Sequence, residues 1–314
     1  MISVNERAFK IVERMLSRAD ELRIGVHKLP NDSMVIDCGV NAPGSYPAGI
    51  LFIEACMGGL GEIAIRNGTI KGKTFSFIDV ATEHAAIACL GSQKAGWKIE
   101  IGDYVAMGSG PARALARKPR DVFECIRYKD DCGHGIIALE ASKLPDEYVM
   151  ESIAKDCGIR VENLVALVAS ASSLVGSIQI SGRIVETALH KLDELGYDTT
   201  KILNASGAAP IAPVKDDEMT IMGAANDSII YYGSVVLTVD EFDDVFEKLP
   251  SECSRDYGRS FCDILRGAGG DFYKIDPNVF APAEVRIKEI KSGKEHRFGR
   301  LNADVLMKSY GVEV

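Results

Sequence analysis

No two of the eight cysteines in this 314-residue chain are spaced C-x-x-C, and the closest pair is Cys125 and Cys132. That usage fits small buried hydrophobes in a reducing compartment, not disulfides or a thiolate metal site. The five histidines, His27, His84, His134, His190 and His296, are scattered and none lies in H-E-x-x-H, so no metal is expected. There is no G-x-S-x-G, which leaves covalent serine catalysis without its local signature. Basic charge is also short: 36 Lys and Arg against 45 Asp and Glu give a net charge of −9, which argues against a nucleic-acid surface. The opening MISVNERAFKIVERML has no basic segment followed by an apolar core, so neither secretion nor import is expected and the location reads as cytoplasmic. The uncharged run from Leu164 to Gly182 approaches the ~20 residues of a membrane helix. Its serines, glycines and glutamine predict instead two buried strands around a small-residue turn.

What is present is a soluble globular composition, 46% hydrophobic and 26% charged. The length favours two domains, and the polar stretch ASKLPDEY (141–148) places the break, giving lobes 1–145 and 146–314. Ser3 and Glu6 form a capping box ahead of apolar residues at helical spacing from Val4 to Ala19. SMVIDCGV, GHGIIALEAS and NLVALVAS read as strands, and PDEYVMESIAKDCG and 183–195 as helices. EIAIRNGTIKGKTFSFIDVAT reads as a hairpin turning at Asn67-Gly68, and SIIYYGSVVLTV as a long strand or a hairpin bent at Gly233. Mixed elements throughout predict an α+β fold.

Three segments carry possible chemistry. MGGLGEIA contains G-x-G-x-x-A, but the residues after Gly61 are too few for the helix that would hold a pyrophosphate, so a glycine-rich turn is the better reading. MGSGPARALARKP predicts a helix capped by Ser109, with Pro111 in its first turn, running to Pro119. Its free N–H groups with Arg113 suit an anion, and a plain well-capped helix accounts for the same residues equally well. In SGRIVETALHKL the stripe Ile184, Val185, Ala188, Leu189 and Leu192 leaves Arg183, Glu186, Thr187 and His190 on the opposite face. The pattern alone describes a solvated pair. Two features favour a site: Arg183 opposes the helix dipole, and the helix begins where the expected buried strand ends.

The segments ASASSLVGSIQISGRIVETALHKL, AMGSGPARALARKP and APIAPVKDDEMTIMGAANDSIIYYG resemble the methenyltetrahydromethanopterin cyclohydrolases, in order along essentially the whole chain. The resemblance implies an archaeal-type one-carbon enzyme that interconverts 5,10-methenyl-tetrahydromethanopterin and 5-formyl-tetrahydromethanopterin. It further implies a cytoplasmic homotrimer, two α+β lobes side by side with a pterin pocket between them, and no prosthetic group, since the pterin is itself the carrier. The family's catalytic pair falls on Arg183 and Glu186. Gln179, Ser181, Asp216 and Asp217 become candidate pterin contacts, and Ser109, Gly110 and Arg113 candidate partners of the anionic tail. Asn226 and Asp227 stay as substrate contacts, although GAAND departs from the family pattern at Ala224, where a larger basic residue is implied. Two rivals are a nicotinamide oxidoreductase resting on GGLGEIA, which would bind an NAD-type resin, and a carrier that holds a pterin or nucleotide without turnover.

Overall fold

Ser3 starts the first helix as its spacing predicts: its hydroxyl accepts from the Glu6 amide at 3.1 Å, and Val4, Ala8, Ile11, Val12 and Met15 turn inward. The computed structural model describes residues 2–214, 217–271 and 274–312. In chain order the elements are α1 (Val4–Leu16), α2 (Ala19–Leu22), β1 (Gly25–Lys28), β2 (Met34–Gly39), α3 (Tyr46–Cys56), β3 (Glu62–Ile70), β4 (Lys73–Thr82), a helical segment at Ala86–Gln93, β5 (Trp97–Ile101), β6 (Tyr104–Ser109), α4 (Ala112–Ala116) and α5 (Arg120–Cys125). They continue with β7 (Gly135–Glu140), α6 (Glu147–Cys157), β8 (Leu164–Ala169), α7 (Leu174–Ser181), α8 (Ile184–Glu194), β9 (Ile202–Pro210), α9 (Glu218–Tyr232), β10 (Ser234–Val239), α10 (Phe261–Gly267), β11 (Glu284–Glu289), β12 (Glu295–Gly299) and α11 (Ala303–Ser309).

These elements make an α+β protein of two units, Met1–Gly61 with Ala86–Gln179, and Glu62–Ala85 with Ile180–Val314. The units are not contiguous halves. The expected break at 145/146 lies inside the first unit, because β8, which follows it, pairs in parallel with β7, which precedes it. The β3–β4 hairpin belongs to the second unit, where β4 pairs with β9 more than a hundred residues later.

The first unit is built on a sheet ordered β1-β2-β8-β7-β6-β5, with β2, β8 and β7 parallel. All six residues of β8 are buried, as a central parallel strand covered on both faces requires. On one face α1, α3 and Val175 of α7 pack against Ile36, Ala138 and Leu167. On the other, α6 and Ala112 of α4 pack against Ile137, Leu139 and Val168. The second unit has a sheet ordered β12-β11-β10-β9-β4-β3 in which β10 and β11 are parallel. Here α8 lies over β4, β9 and β10. Val80, Gly207 and Val235 are cross-strand partners on one row, and a Cβ at Gly207 would stand 2.9 Å from Ile184. The missing side chain is what lets the start of α8 sit down on the sheet.

Three sequence expectations are corrected. The hairpin turns at Lys71-Gly72 (φ 46° and 77°), not at Asn67-Gly68, since the two positive φ angles match a tight primed turn. Gly68 is needed within β3, where a Cβ would come within 2.6 Å of the Phe77 ring. Residues 174–181 form a helix instead of a second strand: Ser173 Oγ accepts from the Gly176 amide at 2.9 Å and starts α7 beside the end of β8. An apolar run buried all round has no periodicity to separate the two outcomes. SIIYY completes α9 and only SVVLTV is a strand.

At α9, Asp227 is fully buried, accepting from the Phe261 amide at 3.0 Å and from Ser309 Oγ at 2.6 Å, and so ties α10 and α11 to one carboxyl. Desolvation dominates its titration and pushes its pKa up to about 7, with the Asp263 charge adding to the rise; Tyr231, Tyr310 and Cys262 are further titratable groups that feel its charge. The folded state therefore holds this proton more tightly than the unfolded chain, and the stability it confers is full below pH 4 and lost as pH rises through 7. Asp227→Asn should remove that dependence: relative to wild type, the variant gains on the order of 2–4 kcal/mol between pH 4 and pH 8 in urea unfolding, whereas parallel curves would refute the assignment.

Candidate active site

The first turn of α8 carries the pair Arg183 and Glu186. Arg183 occupies the N-cap position with φ −83° and ψ 8°, and its side chain makes no capping bond there. A guanidinium has no acceptor to offer the free N–H groups, so this arginine is a poor cap held for another purpose. Arg183 Nη1 stands 3.8 Å from Glu186 Oε2, with the two side chains only 13% and 8% exposed. Glu186, three residues into the helix, also sits in the favourable end of the helix dipole. The solvated face that the wheel suggested is in fact interior: Glu186, Thr187 and Lys191 are buried, Thr187 Oγ1 bonds the Ile184 carbonyl at 3.0 Å, and Lys191 Nζ bonds the Asn278 carbonyl at 2.8 Å. Burial lowers the pKa of Lys191. Such an arrangement supplies a desolvated carboxylate with a cation beside it, the equipment of a general base.

Immediately before it in the chain, Gln179 is 3% exposed and donates through Nε2 to Glu140 Oε2 at 2.6 Å. Ser181 is fully buried, and its hydroxyl has no hydrogen-bond partner among the described residues.

The family comparison decides what these residues belong to. The family described as Cyclohydrolase (MCH) matches residues 3–310. The chain belongs to the MCH cyclohydrolase family. It is 52% identical over 313 residues to the methenyltetrahydromethanopterin cyclohydrolase of Methanospirillum hungatei JF-1, with 99% of each chain covered. It is 52% identical over 314 residues to the enzyme of that name from Methanocella arvoryzae, again covering 99% of each chain. The same name belongs to a Methanocaldococcus jannaschii relative, 49% identical over 319 residues with 99% of each chain covered.

Other residues singled out in this cyclohydrolase chain have structural partners. Ser109 ends β6, its hydroxyl donating to the Ala138 carbonyl at 3.2 Å, and Gly110 has φ +92° at a place where a Cβ would also meet the Ala138 amide at 3.0 Å. Pro111 stands at the start of α4 without a side-chain cap from Ser109, and that helix ends after five residues. Arg113 is fully buried: Nη1 donates to the Leu90 and Ser92 carbonyls at 3.0 and 3.2 Å, Nε to the Lys118 carbonyl at 2.8 Å, and the guanidinium lies 5.5 Å from the Phe123 ring. These bonds commit it to the interior. Asp217 caps α9, accepting from the Thr220 amide at 2.8 Å, and its pKa is lowered by the Thr220 hydrogen bonds. Asn226 Nδ2 bonds the Met222 carbonyl at 2.9 Å. Asp216 lies outside the described residues.

The glycine-rich MGGLGEIA runs from the end of α3 straight into β3, with no helix to receive a dinucleotide. Gly58 and Gly59 have φ +67° and +64°, and a Cβ at Gly58 would stand 2.5 Å from Val4. Among the described residues no group of three or more His, Cys, Asp or Glu side chains is placed to hold a metal ion. No described helix is long and apolar enough to cross a membrane.

Sequence reasoning missed Glu140. Its signal is the single charge closing the otherwise apolar strand GIIALE. Arg113 yields a prediction: Arg113→Ala removes three hydrogen bonds to carbonyls and opens a cavity, so it should lower unfolding free energy by about 3 kcal/mol or more without any ligand present. A wild-type melting curve for the variant would contradict the interior role.

Proposed function

We propose that the chain catalyses the reversible hydrolysis of 5,10-methenyl-tetrahydromethanopterin to 5-formyl-tetrahydromethanopterin, with Glu186 as the base and Arg183 as its positioning partner. The observation that carries this reading is the buried Arg183–Glu186 pair at the start of α8 in a chain about half identical, end to end, to cyclohydrolases of that name. The substrate's bridging carbon lies in a cationic amidinium and is already electrophilic, so water needs only a base. Glu186 accepts a proton as the water oxygen bonds to that carbon, giving a neutral carbinolamine. The carbinolamine opens when the proton passes to the departing nitrogen and the hydroxyl proton leaves, which puts the formyl group on the other nitrogen and releases one proton overall. The negative charge of Glu186 also favours the cationic substrate.

Arg183 holds the carboxylate ionised and oriented once water is excluded. The remaining expectations take their place here: Gln179 and Ser181, next to the catalytic helix in sequence, as pterin contacts, and a cytoplasmic homotrimer that uses the pterin as its one-carbon carrier. The tail is not assigned to Arg113, whose Nε and Nη1 donate to carbonyls.

Glu186→Gln preserves shape and removes the base. In a spectrophotometric assay of methenyl absorbance, wild type should consume the chromophore and the variant should be slower by on the order of 10² to 10⁴. Equal rates would reject Glu186 as base, and absorbance that only shifts on wild-type binding would return the chain to the carrier reading.

A further inference from the structure

We propose that His190 relays the proton released in each turnover from Glu186 to the solvent; the proposal rests on the cyclohydrolase reading above. Hydrolysis of the cationic methenyl group yields a neutral formyl group, so one proton is left over each time. Glu186 takes a proton from the attacking water, gives it to the departing nitrogen and takes the hydroxyl proton as the carbonyl forms. It therefore ends the cycle protonated, and it is no base again until that proton has gone. Only 6% of Glu186 is exposed, so buffer in the bulk has little access to it. A buried base with a net proton to discharge needs an acceptor between itself and water, within hydrogen-bond reach or one water away.

Helix α8 supplies that acceptor by its spacing. Residues three and four apart are neighbours on a helix, with Cβ atoms about 5–6 Å from each other. His190 comes four residues after Glu186, and Asp193 and Glu194 come three and four after His190. Burial falls along this row: Glu186 is buried, His190 and Asp193 are half-buried, and Glu194, ~12 Å farther along the axis, is exposed. The imidazole spans the change, since its Nδ1 lies out of water while the residue as a whole is half-buried. Ile184, Val185, Ala188, Leu189 and Leu192 are fully buried on the other side of α8 and fix which way the row faces. The neighbouring polar side chains are used elsewhere, Thr187 Oγ1 on the Ile184 carbonyl and Lys191 Nζ on the Asn278 carbonyl. An imidazole gains and loses a proton near neutral pH, accepting at one ring nitrogen and releasing from the other, so it passes the proton outward without turning round. In the direction of ring closure the same row brings a proton in.

The test compares wild type with His190→Asn by methenyl absorbance, in weak and in strong buffer and with imidazole added. A single turnover with enzyme in excess should run at the wild-type rate, because Glu186 starts ionised and needs no relay. Repeated turnover in weak buffer should show kcat lowered about 10- to 100-fold with kcat/KM unchanged, and imidazole should restore most of the loss. Glu186→Gln should be slow in both regimes and gain nothing from imidazole. A His190→Asn enzyme with wild-type kcat in weak buffer would overturn the relay. So would a single turnover slowed as much as kcat, or a loss that imidazole leaves in place, since either marks a structural role. Wild type that consumes no methenyl substrate would instead overturn the activity on which the relay rests. If His190→Asn does not fold, His190→Gln is read the same way.

Discussion

The ion pair between Arg183 and Glu186 constrains everything around it, because both side chains lie largely out of water. Desolvating two charges costs more than an ordinary pair returns, so a buried pair is seldom retained for stability alone. The surrounding structure has to hold it. Ile184, Val185, Ala188, Leu189 and Leu192 are all buried and fix α8, and glycines at 207 and 233 leave room for Ile184 at its first turn. The helix is thereby anchored at the end where the charges sit, and a carboxylate with a cation at 3.8 Å is kept in one place.

A second constraint is the way one continuous segment serves both units. Residues 174–182 carry no charge, and Arg183 and Glu186 follow within the next four positions. The division between units falls at Gln179 and Ile180, inside α7. Gln179 bonds Glu140 in the first unit, and Arg183 pairs with Glu186 in the second. The two contacts are thus made by residues a few positions apart in the chain.

Much of this was legible beforehand. The Ser3 capping box, the strands at 34–39, 135–140 and 164–169, the helix at 147–157 and the α+β class all follow from spacing and caps. What was not legible has physical reasons. Residues 175–181 and 228–231 are all buried, so a helix there shows no solvated face. Asn67-Gly68 has the composition of a turn, yet its glycine answers to the Phe77 ring across the strand. The charged face of α8 reads as solvated because a wheel registers polarity and not what covers it. Glu140 escaped because its partner Gln179 is 39 positions away and only the β7–β8 pairing unites them. The discontinuous units escaped for the same reason: strand exchange by β3 and β4 leaves no compositional mark.

The central claim is that Arg183 keeps Glu186 ionised for proton abstraction, and the pH–rate profile of an Arg183→Gln enzyme tests it most directly. With the cation gone and the carboxyl still buried, the acidic limb of kcat should move to higher pH than in wild type, with residual activity recovering as pH rises. An acidic limb that stays where wild type has it, at whatever rate, would mean that the arginine does not govern the charge of Glu186, and the account would fail at its base.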